Sequence, residues 1–239
     1  MSYRENTPAE KQPAPDPFDA CALYRRLREH YGPSGWWPGE SQLEIAVGAV
    51  LTQNTAWGNV EKAIAALKAH SMLDVRRIHA SDPSELARLI RPSGYYNLKA
   101  SRLKNLVRAV MEQASGDVAA FLHRDLSELR AALLAVTGIG RETADSICCY
   151  AAGRPVFVVD AYTRRILSRH GVMADTADYE TIRRLFEHSL PKDLAVYQDL
   201  HAYLVFVGKD FCRKGSPRCG ECPLKAWRRK GPVFPTAPQ

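Results

Sequence analysis

From Phe18 onward, apolar residues recur three and four positions apart in block after block, the spacing that lines one face of an α-helix. The pattern predicts helices over Ala22–His30, Gln42–Thr52, Val60–Ala69, Pro83–Ile90, Lys99–Gln113, Asp117–His123, Leu126–Val136 and Glu142–Ala152. Three more are predicted after Asp160, over Ala161–Arg169, Tyr179–Ser189 and Leu194–Val207, each bounded by Gly, Pro or Asp residues that cap or stop a helix. Only Pro155–Val159 reads as extended, and a segment that short builds no sheet. The expected fold class is all-α. Residues 1–17 carry proline and charge without apolar periodicity and are read as a disordered leader.

Composition narrows the class without naming it. The 239 residues are 46% hydrophobic and 25% charged, enough to bury one good-sized core or two small lobes. No run approaches the roughly 18 apolar residues of a membrane span, and the N-terminus has acids and prolines where a secretion signal has an apolar core. A cytoplasmic protein is therefore expected. Charge changes the picture more. The formal charge is +7, and His201–Gln239 holds Lys209, Arg213, Lys214, Arg218, Lys225, Arg228, Arg229 and Lys230 against only Asp210 and Glu221. Such a segment is either a solvated basic tail or a phosphate contact. Among the cysteines, Cys21 stands alone, Cys148 and Cys149 are adjacent inside a helical pattern, and only Cys212, Cys219 and Cys222 are spaced like ligands. That usage argues against a disulfide framework.

The candidate chemistry begins at Leu126–Gly153. There an apolar helix is followed by Gly138, Ile139 and Gly140, then by a second helix opening near Arg141. Two glycines one residue apart allow a tight turn and leave backbone N–H groups bare for a phosphate, although packed helices also use such turns without a ligand. Further on, the apolar run Val156–Val159 leads into Asp160 at the head of an amphipathic helix. On its own, an aspartate there is a helix cap.

Hairpin, apolar segment and aspartate, in that order, resemble the helix-hairpin-helix DNA glycosylases of the endonuclease III superfamily. The resemblance runs from about Gly35 to Cys222, through VLTQNTAWGNVEKAI, LIRPSGYYNLKASRL, VTGIGRETADSICCYA and VFVVDAYTRRI in the family order. It implies two helical lobes with a DNA-binding cleft between them. A central lobe would span 41–153 and end in the helix-hairpin-helix, 126–153. Residues 18–40 and 154–211 would form the other lobe, with a cysteine-containing basic loop and tail at 212–239. The implied function is base-excision repair of double-stranded DNA containing a damaged base, by a monomer associated with the nucleoid and with no membrane. Asp160 would be the catalytic carboxylate, stabilising the positive charge that gathers on the sugar as the base departs. Gln53 would fill the gap left by a flipped base, while Gly138, Ile139, Gly140 and Arg141 would bind the DNA backbone.

Trp36, Trp37, Pro38, the QNTAW stretch with Trp57, RPSGYYNLKA and GIGRE are most similar to the 3-methyladenine DNA glycosylase branch. Electron-rich indoles suit methylated purines, which carry positive charge. Trp36, Trp37, Pro38 and Trp57 are thus candidate pocket residues, or ordinary core residues; Tyr150, His201 and Lys209 are further candidates to line or support the pocket. Two departures carry information. Bifunctional members place a lysine where Glu142 stands, and a carboxylate forms no imine, so a monofunctional glycosylase is expected. Cys212, Cys219 and Cys222 match the first three ligands of the family's iron–sulfur loop, but the fourth position holds Arg228. Either a [4Fe-4S] cluster survives with an incomplete cysteine set, or the loop is a relic that binds another metal or none; bond cleavage requires no cluster in either case. The rival readings are a bifunctional glycosylase and abasic-site lyase acting on other lesions, a non-catalytic DNA-damage-binding protein, and a small metal-dependent nuclease.

Overall fold

A computed structural model describes residues 18–227. Among them are twelve α-helices and no strand. The helices are α1 (Ala20–Tyr31), α2 (Gln42–Leu51), α3 (Trp57–Ala69), α4 (Val75–Ala80), α5 (Pro83–Leu89), α6 (Tyr96–Ala114), α7 (Val118–Leu122), α8 (Leu126–Leu134), α9 (Arg141–Ser146), α10 (Ala161–Arg169), α11 (Tyr179–Ser189) and α12 (Leu194–Asp210). A short 3-10 turn, Arg91–Ser93, precedes α6, and Ile147–Ala151 continues α9 as a wider π turn. The all-α expectation holds. The expected disordered leader, residues 1–17, lies outside the described residues.

Periodicity misses α4, because its six residues bury only Val75 and Ile78, too few to show a period. What starts α4 is Asp74, whose side chain accepts from Arg77 N. The same device recurs: Asp19, Asp82, Asp117, Asp160, Asp178 and Asp193 each accept a first-turn amide at the head of a helix. α3 starts three residues earlier than the period predicts, at Trp57, and α12 runs on to Asp210.

Two apolar cores form. The first gathers α2 to α9 around α2, which buries every residue from Ala46 to Leu51 and so has no polar face. The second gathers α1, α10, α11 and α12, with Phe157 stacked on Phe186 at 4.1 Å. The extended segment joins them by simple alternation: Val156 and Val158 enter the first core, Phe157 and Val159 the second. With no sheet partner, its amides are met by side chains of α11, Glu187 accepting from Phe157 N at 3.0 Å and Tyr179 from Val159 N at 3.4 Å. α10 and α12 cross closely because Gly208 has no side chain; a Cβ there would stand 2.3 Å from the Tyr162 ring.

Candidate active site

Among the described residues seven aspartate side chains cap helices, and six of them are exposed; Asp160 is the buried one, at 8% exposure. A cap needs only one carboxylate oxygen and no burial. Oδ1 of Asp160 does the capping, accepting from Thr163 N at 2.7 Å. Oδ2 is left over, and it faces Nε2 of His201 at 3.7 Å. His201 comes from the middle of α12 and is itself buried; its Nδ1 lies 2.6 Å from the hydroxyl of Tyr150, which the π turn contributes. Burial pushes the Tyr150 phenol well above its ordinary range. Burial also lowers the His201 imidazole, against an opposing pull from Asp160.

Tyr150 opens an aromatic wall. Trp37 packs against it at 5.0 Å, Trp57 against Trp37 at 5.1 Å edge-on, and Trp36 against Trp57 at 6.0 Å and against Phe206 at 5.6 Å. Gly48 on α2 makes room for this stack, its missing Cβ 3.4 Å from the Trp37 indole nitrogen and 3.6 Å from Trp57. The three tryptophans are half-buried, so they belong to the edge of the first core and also present surface. Pro38 is exposed and outside the stack. Lys209 is exposed in the last turn of α12.

Glu142 opens α9 beside this site. Solvent reaches its side chain, but neighbouring protein, Asp160 and Arg164 among it, packs near enough to enclose its carboxyl in part. That enclosure, and then repulsion from Asp160, push its carboxyl up to about 7 against the opposing pull of Arg164. The hairpin before it is braced by α6. Gly138, at φ +95°, lies under Arg102, whose Cγ stands 2.4 Å from where a Cβ would sit, and Asn105 donates to Thr137 O at 3.0 Å. Ile139 buries its side chain and spends its N–H on Val136 O at 3.0 Å. The Ile139 amide is therefore not available to an outside anion, whereas the amides of Gly138, Gly140 and the first turn of α9 make no such backbone bond. Arg141 reaches Glu180 at 3.5 Å.

Gln53 is tied to this hairpin, donating to Thr143 Oγ1 at 2.8 Å and Gly138 O at 3.3 Å while Arg102 donates to its carbonyl. Sequence reasoning missed what holds the Gln53 loop in place. Lys99 is buried and donates to Leu51 O, Thr55 Oγ1 and Ser93 O at 2.8, 2.7 and 2.6 Å; burial, then Arg102, lowers its amine to about 8. The available signal was its place four residues before Leu103, on the apolar face of α6. Those bonds pin the Gln53 loop to the turn that carries Tyr95, an aromatic residue 72% exposed and held at φ +45°.

The cysteine loop follows α12. Cys212 and Cys222 turn inward while Cys219 is exposed. Arg169 donates to the Cys212 sulfur at 3.4 Å and to Arg213 O and Lys214 O, and Arg165 holds Cys212 O at 2.7 Å. Among the described residues no three His, Cys, Asp or Glu side chains converge as a metal-ligand group. Arginines knit this loop together, and the residues present do not fit a cluster held by four protein thiolates.

Residues 47–192 match the model of the HhH-GPD superfamily of base excision DNA repair proteins. The chain is 48% identical over 204 residues to a protein of Methanocaldococcus jannaschii assigned as a DNA repair glycosylase, covering 85% of this chain and 92% of the relative. It is 30% identical to endonuclease III of Thermotoga maritima, over 79% of this chain and 85% of that one. Among solved structures it is similar to H. pylori 3-methyladenine DNA glycosylase (MagIII) bound to 1,N6-ethenoadenine, at a TM-score of 0.72 and 28% identity, over 80% of this chain and 98% of the other. A non-covalent endonuclease III–DNA complex shares the fold at a TM-score of 0.75 and 22% identity, over 87% and 92%.

Proposed function

Because the chain belongs to the HhH-GPD superfamily of base excision DNA repair proteins and is a DNA N-glycosylase, we propose that it hydrolyses the bond between C1′ and an alkylated purine such as 3-methyladenine, leaving the strand uncut. The observation that carries this reading is Asp160, buried where the other six capping aspartates are exposed, at the end of an aromatic wall.

The duplex lies along the cleft between a central lobe, 41–153, and a lobe made of 18–40 and 154–211. The amides around Gly140 and the basic residue Arg141 take a phosphate. The lesion flips out of the stack, Gln53 and the exposed Tyr95 fill the gap, and the base lies against Trp37 and Trp57. A methylated purine is cationic, so the indole faces attract it, and its positive charge already weakens the bond to the sugar. As the base leaves with the bonding pair, Asp160 stabilises the cation at C1′; water then adds to C1′ and gives its proton to the carboxylate. Glu142 stands where a lyase would place its amine. A carboxylate forms no Schiff base, so the product is an intact abasic site.

No described helix is long and apolar enough to cross a membrane, and a cytoplasmic monomer scanning the nucleoid accords with a net charge of +7. The test is release of free base from DNA treated with a methylating agent, by the wild type and by Asp160→Asn, with nicking assayed separately. Release of 3-methyladenine by the wild type alone, without nicking, is expected. Borohydride trapping of wild-type protein on DNA would overturn the monofunctional reading.

A further inference from the structure

With Asp160 read as the carboxylate that faces the sugar, as proposed above, we infer that His201, set by Tyr150, holds the attacking water against Asp160. Three observations meet at this point. Nε2 of His201 is buried and has no hydrogen-bond partner among the described residues. It stands 3.7 Å from Asp160 Oδ2, too far for a direct hydrogen bond and close enough for one water to touch both. Oδ2 is the oxygen that capping leaves free, since Oδ1 is taken by Thr163 N.

The Tyr150 hydroxyl and the Asp160 carboxylate together decide which ring nitrogen carries the proton. It has one hydrogen and two acceptors in reach, His201 Nδ1 at 2.6 Å and Gln198 O at 3.4 Å. The 2.6 Å contact forms whichever group donates, and the Asp160 carboxylate 3.7 Å from Nε2 decides between them: it favours a proton on Nε2, so that the phenol donates to Nδ1. A neutral ring that accepts at Nδ1 bears its proton on Nε2. Burial keeps the ring neutral. The Nε2–H is therefore a donor without a partner beside Oδ2, and a proton there suits the neighbouring carboxylate, whereas a bare lone pair would repel it.

A water held by these two groups accepts from Nε2–H through one lone pair and donates one hydrogen to Oδ2. Its second lone pair is left for C1′. When the base has departed with the bonding electrons, the water oxygen forms the new bond to C1′, and the shared proton passes to Oδ2. His201 neither gains nor loses a proton in the step. Tyr150 acts only through His201 and is a positioning residue. Tyr150 also packs against Trp37 at 5.0 Å, so the wall that takes the base and the group that holds the water are joined by one side chain.

Single-turnover base release from methylated DNA is measured together with affinity for an uncleavable abasic-site analogue. His201→Ala is expected to slow release on the order of a hundredfold with affinity unchanged. His201→Gln, which restores an N–H donor, is expected to recover part of the rate, and Tyr150→Phe to lose less than His201→Ala. A full-rate His201→Ala beside an inactive Asp160→Asn would overturn the role of His201 and leave Asp160 standing; full activity of Asp160→Asn would overturn the underlying reading instead. A substrate-independent measurement guards against variants that fold poorly. Nitrogen-15 NMR of the full-length wild-type protein labelled at histidine is expected to show His201 with its proton on Nε2. A proton on Nδ1 would overturn the inference whatever the lesion proves to be.

Discussion

Glu142 and Asp145 stand three residues apart on α9 and meet opposite surroundings. Asp145 lies in the seam between the two cores, fully buried, with both its oxygens accepting from Arg130 at 2.6 and 3.1 Å. Arg130 also reaches Glu180 of α11, Glu180 pairs with Arg183, and Arg183 with Glu187. Burial pushes the Asp145 carboxyl up and Arg130 pulls against it; the two-pronged contact decides for the ionised pair. Arg130 is raised in turn, chiefly by its hydrogen bond to Asp145. Glu142, one turn away, faces another carboxylate. At the candidate site Nε2 of His201 and the indole nitrogens of Trp36 and Trp37 have no hydrogen-bond partner among the described residues. The seam satisfies its charges and ties α8 and α9 to α11. The candidate site leaves some of its polar atoms unmet, and α9 widens there into a π turn. Sites that break the satisfaction rule while their neighbours obey it are where binding and chemistry are to be sought.

The comparison breaks most sharply at Asp160. Asparagine caps a helix as well as aspartate does, so Asp160→Asn is expected to keep its melting temperature while base release falls on the order of a hundred- to a thousandfold. An equal loss of stability would mean that the cleft also holds the fold. The reverse is expected at the seam. Arg130→Leu leaves Asp145 buried and unpaired, costing about 3–5 kcal/mol, which thermal denaturation reads as a fall of roughly 10 °C. Release per folded molecule, assayed well below that melting point, is expected to stay within about twofold of wild type, since Arg130 touches nothing in the cleft.

A smaller effect sharpens the picture of the aromatic wall. Trp57→Ala is expected to lower the preference for a cationic methylated purine over the neutral base hypoxanthine about tenfold, measured as the ratio of kcat/KM values. Glu142→Gln tests the like-charge contact. A carboxyl raised to about 7 contributes stability that is full below its unfolded value and is lost as pH rises through 7. The variant should therefore gain melting temperature over wild type at pH 8 and little at pH 5; an equal gain at both would dissolve the contact with Asp160. The smallest effect is expected at the cysteine loop, where Arg169 binds the Cys212 sulfur and Arg165 its carbonyl. Chelators are expected to leave melting temperature and base release unchanged, and a fall in either would show that a metal holds this loop.

Local patterns in the sequence determined most of the helices, because burial of one face leaves a period and an aspartate or glycine leaves a mark at each end. They determined the hairpin glycines, the place of Asp160 at the head of α10 and the carboxylate at Glu142. Short α4 escaped because two buried residues make no period. Lys99 escaped because the reading followed apolar residues, and a buried cation answered by three oxygens breaks that code. The resemblance singled out Asp160, but tertiary structure alone decided that it is the buried one among the capping aspartates described, since burial depends on what packs above it. It also decided that residues as distant in the chain as Trp37, Tyr150, Asp160 and His201 form one surface, and that Arg130 closes the seam. Distances of a few ångströms between side chains on different helices are set by how those helices cross, and no period along the chain records a crossing.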